Sequence, residues 1–367
     1  MGFKLPNGSD LSEEQLDIIN LPLTKDWVIT GAPGTGKTVM AIYRAAQAGR
    51  ISKRKPVLLL VYNNPLMRFL STAVKGDNYK NVYVLTYHQW INDIYSSYYG
   101  TGVPKIGGDH NWDVIAYDIG RLGKMYSHVI VDEAQDFPIE LLEILKNVSE
   151  HMSCFIDPNQ AVEPGKMDTI EAVKTLCVAA PYKLTKNFRN TKPVRDLSAL
   201  YCVDGEPALT DIPGKKPVAV KCDPGNFDDM NRKMILIINR NKEKNIGVIV
   251  NFKALNSTYN VLKNSLYDVN VQMHKSMTEN RIDFNEPGVK IVSYGTMKGL
   301  EFDIVLLPLF DKVPMVDGGR VDMNRAYVAV TRPLEELYIF YWSERPSSGK
   351  VNNMVPLVSH KKMLDWM

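Results

Sequence analysis

Gly31-Ala32-Pro33-Gly34-Thr35-Gly36-Lys37-Thr38 completes the pattern Gly-x-x-x-x-Gly-Lys-Thr, and few folds can carry it. Glycines let backbone N–H groups turn inward around phosphate oxygens, because they tolerate dihedral angles closed to other residues. Lys37 has the reach for the β- and γ-phosphates, and the Thr38 hydroxyl can hold Mg²⁺. The flanks agree. Trp27-Val28-Ile29-Thr30 reads as a buried strand, and Val39 to Ala48 as a helix with Gly49 at its C-terminal end. A helix N-terminus after the loop adds its dipole to an anion site.

Apolar, β-branched runs recur between helical stretches. The first series is Trp27–Thr30, Val57–Tyr62, Val82–Thr86, His128–Val131 and Cys154–Ile156. The second is Val218–Lys221, Ile246–Val250, Lys290–Tyr294, Ile304–Leu307 and Leu337–Tyr341. Strands alternating with helices imply an α/β protein with two parallel-sheet domains, which a chain of 367 residues can accommodate. Right-handed crossovers put ligand loops at the carboxyl ends of the strands. The expected division lies between 165 and 185, after the turn Glu163-Pro164-Gly165-Lys166, with domains taken as 1–175 and 176–367. Asn239 to Asn245 is polar enough for a solvated loop.

A net charge of +3 permits nucleic-acid contact without arguing for it. Cys154, Cys177, Cys202 and Cys222 are widely spaced, so neither a disulfide framework nor a zinc site is suggested and a cytoplasmic location is expected. Asp10, Glu13 and Glu14 do not suit a signal peptide. The apolar run Val57 to Tyr62 has a strand's length, so no membrane partner is expected.

Downstream, Val129-Ile130-Val131 runs into Asp132-Glu133-Ala134-Gln135-Asp136. A buried strand ending in adjacent acids supplies the second half of an ATPase site. Asp132 can hold Mg²⁺, directly or through water, and Glu133 can polarise the attacking water.

Asp-Glu-Ala-Gln-Asp resembles the signature of superfamily-one DNA helicases of the UvrD/Rep/PcrA type, and further segments resemble that family's motifs in order. The resemblance implies two RecA-like P-loop domains with an ATP site in the interdomain cleft. It implies that Gln15, within Leu11-Ser12-Glu13-Glu14-Gln15, lies against adenine. An amide that both donates and accepts suits that base edge. Gly31, Gly34, Thr35, Gly36, Lys37 and Thr38 would cradle the phosphates. Gln160 would sense the γ-phosphate, Phe188 would stack on adenine, and Glu301 would hold the ribose. Arg189 and Arg332 would bring charge to the γ-phosphate. That suits phosphoryl transfer, which develops charge on the equatorial oxygens. Asn63, Thr86, His88 and Ser293 fall at or near the family's single-strand contacts.

The chain also departs from the family. Gln89 to Met125 is too short for the usual first insertion, and residues 251–289 are too few for the second, so the chain resembles a bare two-domain motor core. Ser293-Tyr294-Gly295 stands where the family has Thr-x-His, and Ala161-Val162-Glu163-Pro164 where it has base-stacking aromatics. Tyr294, in mid-strand, reads as core. Trp90, Ile91, Ile94, Tyr95 and Tyr98, at helical spacing, read as a buried face.

The leading expectation is an ATP- and Mg²⁺-dependent translocase or helicase on single-stranded DNA. The resemblance implies 3′-to-5′ polarity, and RNA stays open as a substrate. A protein partner would supply the functions of the missing subdomains. The alternative is an ATP-gated regulatory subunit controlling a partner such as a nuclease. A P-loop kinase or GTPase is disfavoured, because no Asn-Lys-x-Asp motif is present.

Overall fold

The computed structural model describes residues 10–61, 81–160, 166–203, 206–274, 282–283, 286–316, 320–344 and 352–367. The chain divides into two compact units, one ending at Thr185 and the other beginning at Lys186.

In the first unit the strands are β1 (Trp27–Gly31), β2 (Val57–Val61), β3 (Val82–Thr86), a hairpin of β4 (Lys105–Ile106) and β5 (Asp109–His110), β6 (Tyr126–Val131), β7 (Ser149–Ile156) and β8 (Tyr182–Leu184). The helices are α1 (Glu13–Asn20), α2 (Lys37–Ile51), α3 (Tyr87–Ile94), α4 (Trp112–Gly120), α5 (Ile139–Val148) and α6 (Thr169–Thr175). Six strands form one sheet in the order β3-β2-β6-β7-β1-β8, with every pairing parallel. Alternate residues of each strand feed the two faces. Leu58, Leu60, Val129 and Val131 pack under α3, α4 and α5, while Leu59, Val61, Ile130 and Phe155 pack under α2. A sheet covered on both sides needs apolar residues at every position, which explains the continuous runs Val57–Val61 and Val129–Val131. Each such Leu, Ile or Val contributes about 1.5–3 kcal/mol on burial.

In the second unit the strands are β9 (Val218–Lys221), β10 (Asn245–Val250), β11 (Val271–Met273), β12 (Gly288–Ser293), β13 (Phe302–Leu307), a hairpin of β14 (Met315–Val316) and β15 (Arg320–Val321), β16 (Pro333–Tyr341) and β17 (Asp365–Trp366). The helices are α7 (Lys192–Ser198), α8 (Phe227–Asn239), α9 (Leu255–Ser265), α10 (Met323–Val330) and α11 (Val355–Ser359). Its seven-stranded sheet, in the order β11-β12-β10-β13-β16-β9-β17, is again parallel throughout. Its two faces hold separate clusters, one around Val292, Val305 and Ile339, the other around Val248, Ile291 and Leu306.

Four details differ from the sequence reading. The first unit ends at Thr185, at the far end of the expected range of 165–185 and ten residues past 175, because β8 pairs with β1. Gly49 lies inside α2, which continues to Ile51 and is capped at Ser52. Strands β8, β11 and β17 are too short for a periodic signal and were not anticipated. Trp90, Ile91, Ile94 and Tyr95 are buried as expected, but Tyr98 is 58% exposed, since a π-helical turn over Tyr95–Tyr99 rotates it off the face. Tyr294 is core.

Candidate nucleotide site

The phosphate loop joins β1 to α2, so its backbone sits at the carboxyl edge of the sheet and at a helix N-terminus. Gly34 and Gly36 take φ of 79° and 88°, left-handed values that demand glycine. Gly36 has a second reason: a Cβ there would lie 2.5 Å from Gln15 Nε2. Thr35 is buried and its hydroxyl donates to the Ala32 carbonyl at 2.9 Å. Lys37 Nζ donates back to the Gly31 and Ala32 carbonyls, at 2.8 and 3.2 Å.

Two further strands end in acids at the same edge. β6 delivers Asp132, which is fully buried, and Thr38 Oγ1 donates to its Oδ2 at 2.7 Å. The other oxygen, Oδ1, has no hydrogen-bond partner. Burial, with Glu133 beside it, raises the pKa of this carboxyl. A hydroxyl and a carboxylate oxygen side by side are hard donors, and the buried unpaired Oδ1 fits a divalent cation better than it fits a closed hydrogen-bond network. No group of three or more acidic, histidine or cysteine side chains capable of holding a metal occurs among the described residues.

Glu133 follows at φ 53°, a left-handed conformation that costs a non-glycine residue about 1–3 kcal/mol. Its carboxylate accepts from Gln135 Nε2 at 2.7 Å. The Oε1 of the same Gln135 accepts from the backbone of Asp157 at 2.9 Å. Asp157, at the end of β7, is fully buried and lies 3.6 Å from Lys37 Nζ. Burial raises its pKa, opposed by Lys37 and by Gln160, whose Nε2 donates to Oδ2 at 2.7 Å. Lys37, Glu133, Gln135, Asp157 and Gln160 thus form one bonded network. Sequence reasoning assigned no role to Gln135 or Asp157. The available signal was Asp157 itself, a second acid at the end of a buried strand.

Gln15 is buried against the loop, its Nε2 donating to Thr35 O at 3.1 Å. Its Oε1 accepts from Ser12 N at 3.1 Å, closing a capping box at the start of α1. Arg44, also missed, locks this helix in place: Nη1 donates to the carbonyls of Ile18 and Leu21 at 2.8 and 3.1 Å, and Nε to Ser153 Oγ at 3.2 Å. Burial lowers its pKa to about 10.

The second unit holds the remaining expected residues. Arg189 pairs with Glu301, so these two partner each other there. Phe188 is 48% exposed. Arg332 is only 2% exposed and donates to Val328 O at 2.9 Å and Leu300 O at 3.3 Å. Asn190, unforeseen, ties the two arginine segments together by donating to the carbonyls of Thr331 and Pro333 at 3.0 and 2.9 Å. Asn187 in turn accepts from the backbone of Arg189 at 2.8 Å.

The expected strand contacts are less uniform. Thr86 is buried and caps α3, its Oγ1 accepting from Gln89 N at 3.3 Å. His88 is exposed beside it. Ser293 is buried in a turn, its Oγ accepting from Thr296 N at 3.2 Å. Asn63 and residues 161–165 lie outside the described residues. All four cysteines are free. No described helix is long and apolar enough to cross a membrane.

Residues 25–212 match the family model described as Schlafen group 3, DNA/RNA helicase domain. No curated protein matches the chain. Among solved structures, it is similar to a Leu-to-Val variant of S. cerevisiae Dbp5 bound to RNA and ADP BeF3, with 13% identity, TM-score 0.56, and 98% of this chain and 95% of that one covered. It is similar to S. cerevisiae Dbp5 bound to RNA and ADP BeF3 with 12% identity and TM-score 0.52, covering 98% of this chain and 94% of that one. At such identity the likeness concerns the fold, two parallel-sheet α/β domains of the RecA-like helicase kind.

Proposed function

The chain belongs to the family of the Schlafen group 3 DNA/RNA helicase domain, and from that premise we propose an ATP-dependent translocase or helicase on single-stranded DNA. We assign it 3′-to-5′ polarity and a minimal form of the UvrD-type motor without large accessory subdomains. The observation that carries this reading is the cluster at the carboxyl edge of the first sheet. There a phosphate loop, a buried Asp132 bonded to Thr38, and a Glu133 steered by Gln135 lie side by side.

ATP would be held by the glycine cradle, with Lys37 leaving its carbonyl and Asp157 partners for the β- and γ-phosphates. Mg²⁺ would be held by Thr38 and Asp132 and would supply charge neutralisation at the phosphates. Glu133 accepts the proton of the attacking water, its carboxylate oriented by the Gln135 amide. Gln160, bonded to Asp157 beside Lys37, responds to the γ-phosphate. From the second unit, Arg189 and Arg332 stabilise charge on the transferred group, Phe188 stacks on adenine and Glu301 meets the ribose. Gln15 retains one amide hydrogen and one lone pair for the adenine edge.

The test is the ATPase rate with and without single-stranded DNA and RNA. Strong stimulation supports the translocase, and the stimulating polymer identifies the strand. No effect of either, at low salt and high polymer concentration, would point instead to ATP-gated control of a partner protein. Unwinding of long duplexes by the chain alone is expected to be poor, with a partner completing the strand channel.

A further inference from the structure

The stretch between α3 and α4, too short for an accessory subdomain, builds a compact aromatic feature. Gly107 and Gly108, at φ 61° and 98°, turn a tight hairpin in which Lys105 pairs with His110. Two adjacent left-handed glycines are what a two-residue hairpin turn requires. The hairpin brings His110 over His88, with ring centroids 5.5 Å apart and planes inclined 29°. Trp112, at the start of α4, continues the row 5.2 Å from His110. The inner end is anchored: Tyr87 lies 3.8 Å from His88 and packs edge-on to core Phe137 at 5.5 Å. His88 is exposed and His110 and Trp112 half-buried, so ring surface reaches solvent. The row follows the carboxyl end of β3, the sheet edge that also bears Asp132 and the phosphate loop.

We propose that His88, His110 and Trp112, flanked by Lys105 and Lys166, form a base-stacking ledge for single-stranded nucleic acid. This rests on the nucleic-acid reading above, in which His88 already falls near an expected strand contact, and adds His110 and Trp112 to it. Flat rings offer a π-face that any base can stack on, and lysines beside them answer the phosphates. The row is also built to stay stacked. Partial desolvation of the ring first, then His110, Lys166 and Lys105, hold the His88 pKa below its ordinary value. Burial and Lys105, against Asp109, do the same for His110. Neutral imidazoles stack on each other without charge repulsion.

The experiment is fluorescence anisotropy of the full chain with labelled oligo(dT), oligo(U) and an abasic strand of equal length. The ledge predicts that wild type binds the base-bearing strand more tightly than the abasic one. His110→Ala should weaken binding of the base-bearing strand about five- to hundred-fold, the range for one stacked base. Binding of the abasic strand should stay the same. His110→Phe should restore the loss, and Trp112→Leu, which keeps an apolar contact with the core, should reproduce it. The oligo(dT) and oligo(U) arms show which strand uses the ledge. Equal affinity of wild type for base-bearing and abasic strands overturns the ledge alone, as does an undiminished affinity of His110→Ala. No binding of any strand by wild type overturns the ledge and the nucleic-acid reading together.

Discussion

The two units have similar parallel sheets and treat their charged residues differently. In the first, three of the candidate-site contacts join side chain to side chain: Thr38 to Asp132, Gln135 to Glu133, Gln160 to Asp157. In the second, Arg332 spends its donors on carbonyls of its own fold and Arg189 pairs with Glu301. A network of side chains keeps its geometry ready for a ligand. An arginine committed to buried carbonyls does structural work as well, so its removal should cost stability and rate together.

The largest effects should come from the first unit. Lys37→Ala should abolish productive ATP binding, read by titration with a fluorescent nucleotide, because the phosphates lose their nearest cation. Glu133→Gln should keep binding and stop turnover, because an amide cannot accept the proton of water. Wild-type-like turnover by this variant would remove Glu133 from the mechanism.

Next come the arginines, where the contrast can be broken. Arg189→Ala and Arg332→Ala should each lower turnover by roughly 10³–10⁵, the range for arginine fingers, with little change in ADP affinity. Only Arg332→Ala should also lower stability, by about 1–3 kcal/mol and read as a lower thermal midpoint, because the Leu300 carbonyl loses its arginine donor in a largely buried site, while Thr331 still bonds the Val328 carbonyl. Equal stability of the two variants would erase the distinction between them.

Acid should separate the units again. Burial, with His151 beside it, lowers His128 to about 4. A histidine held neutral in the fold contributes stability above its unfolded value near 6.5 and loses it as pH falls toward 4. Through this window the His128 contribution to the first unit should fall by on the order of 2–3 kcal/mol, while protonation of Asp132 and Asp157, whose pKa values burial raises, works in the opposite direction. Hydrogen exchange, which reads each unit separately, should show protection lost first in β6 and β7, and His128→Phe should blunt the loss. The smallest effect concerns base choice. Gln15→Ala should narrow the preference for ATP over GTP in steady-state turnover, and an intact protein that uses both equally would take Gln15 out of the adenine site.

Much of the fold was legible because buried parallel strands leave unbroken apolar runs. β2 and β6 are fully buried on both faces and stand out in the sequence. The short edge strands β8 and β17 do not: they are held by pairing partners distant in sequence, and nothing local marks them. Gly49 misled because a glycine ends a helix only where the chain must turn, and packing carries α2 past it to Ile51.

By itself the sequence determined the local chemistry: the loop Gly31 to Thr38, the paired acids after β6, and the strand–helix alternation that puts them at one sheet edge. These depend on neighbouring residues, so local order suffices to specify them. Only the tertiary structure decided how each residue is engaged. It set Gln135 between Glu133 and Asp157, and Arg44 under the helix that carries Gln15. It also folded the hairpin of Lys105 to His110 back over His88. Such contacts join residues far apart in the chain and are fixed by sheet order and packing, which no local pattern encodes.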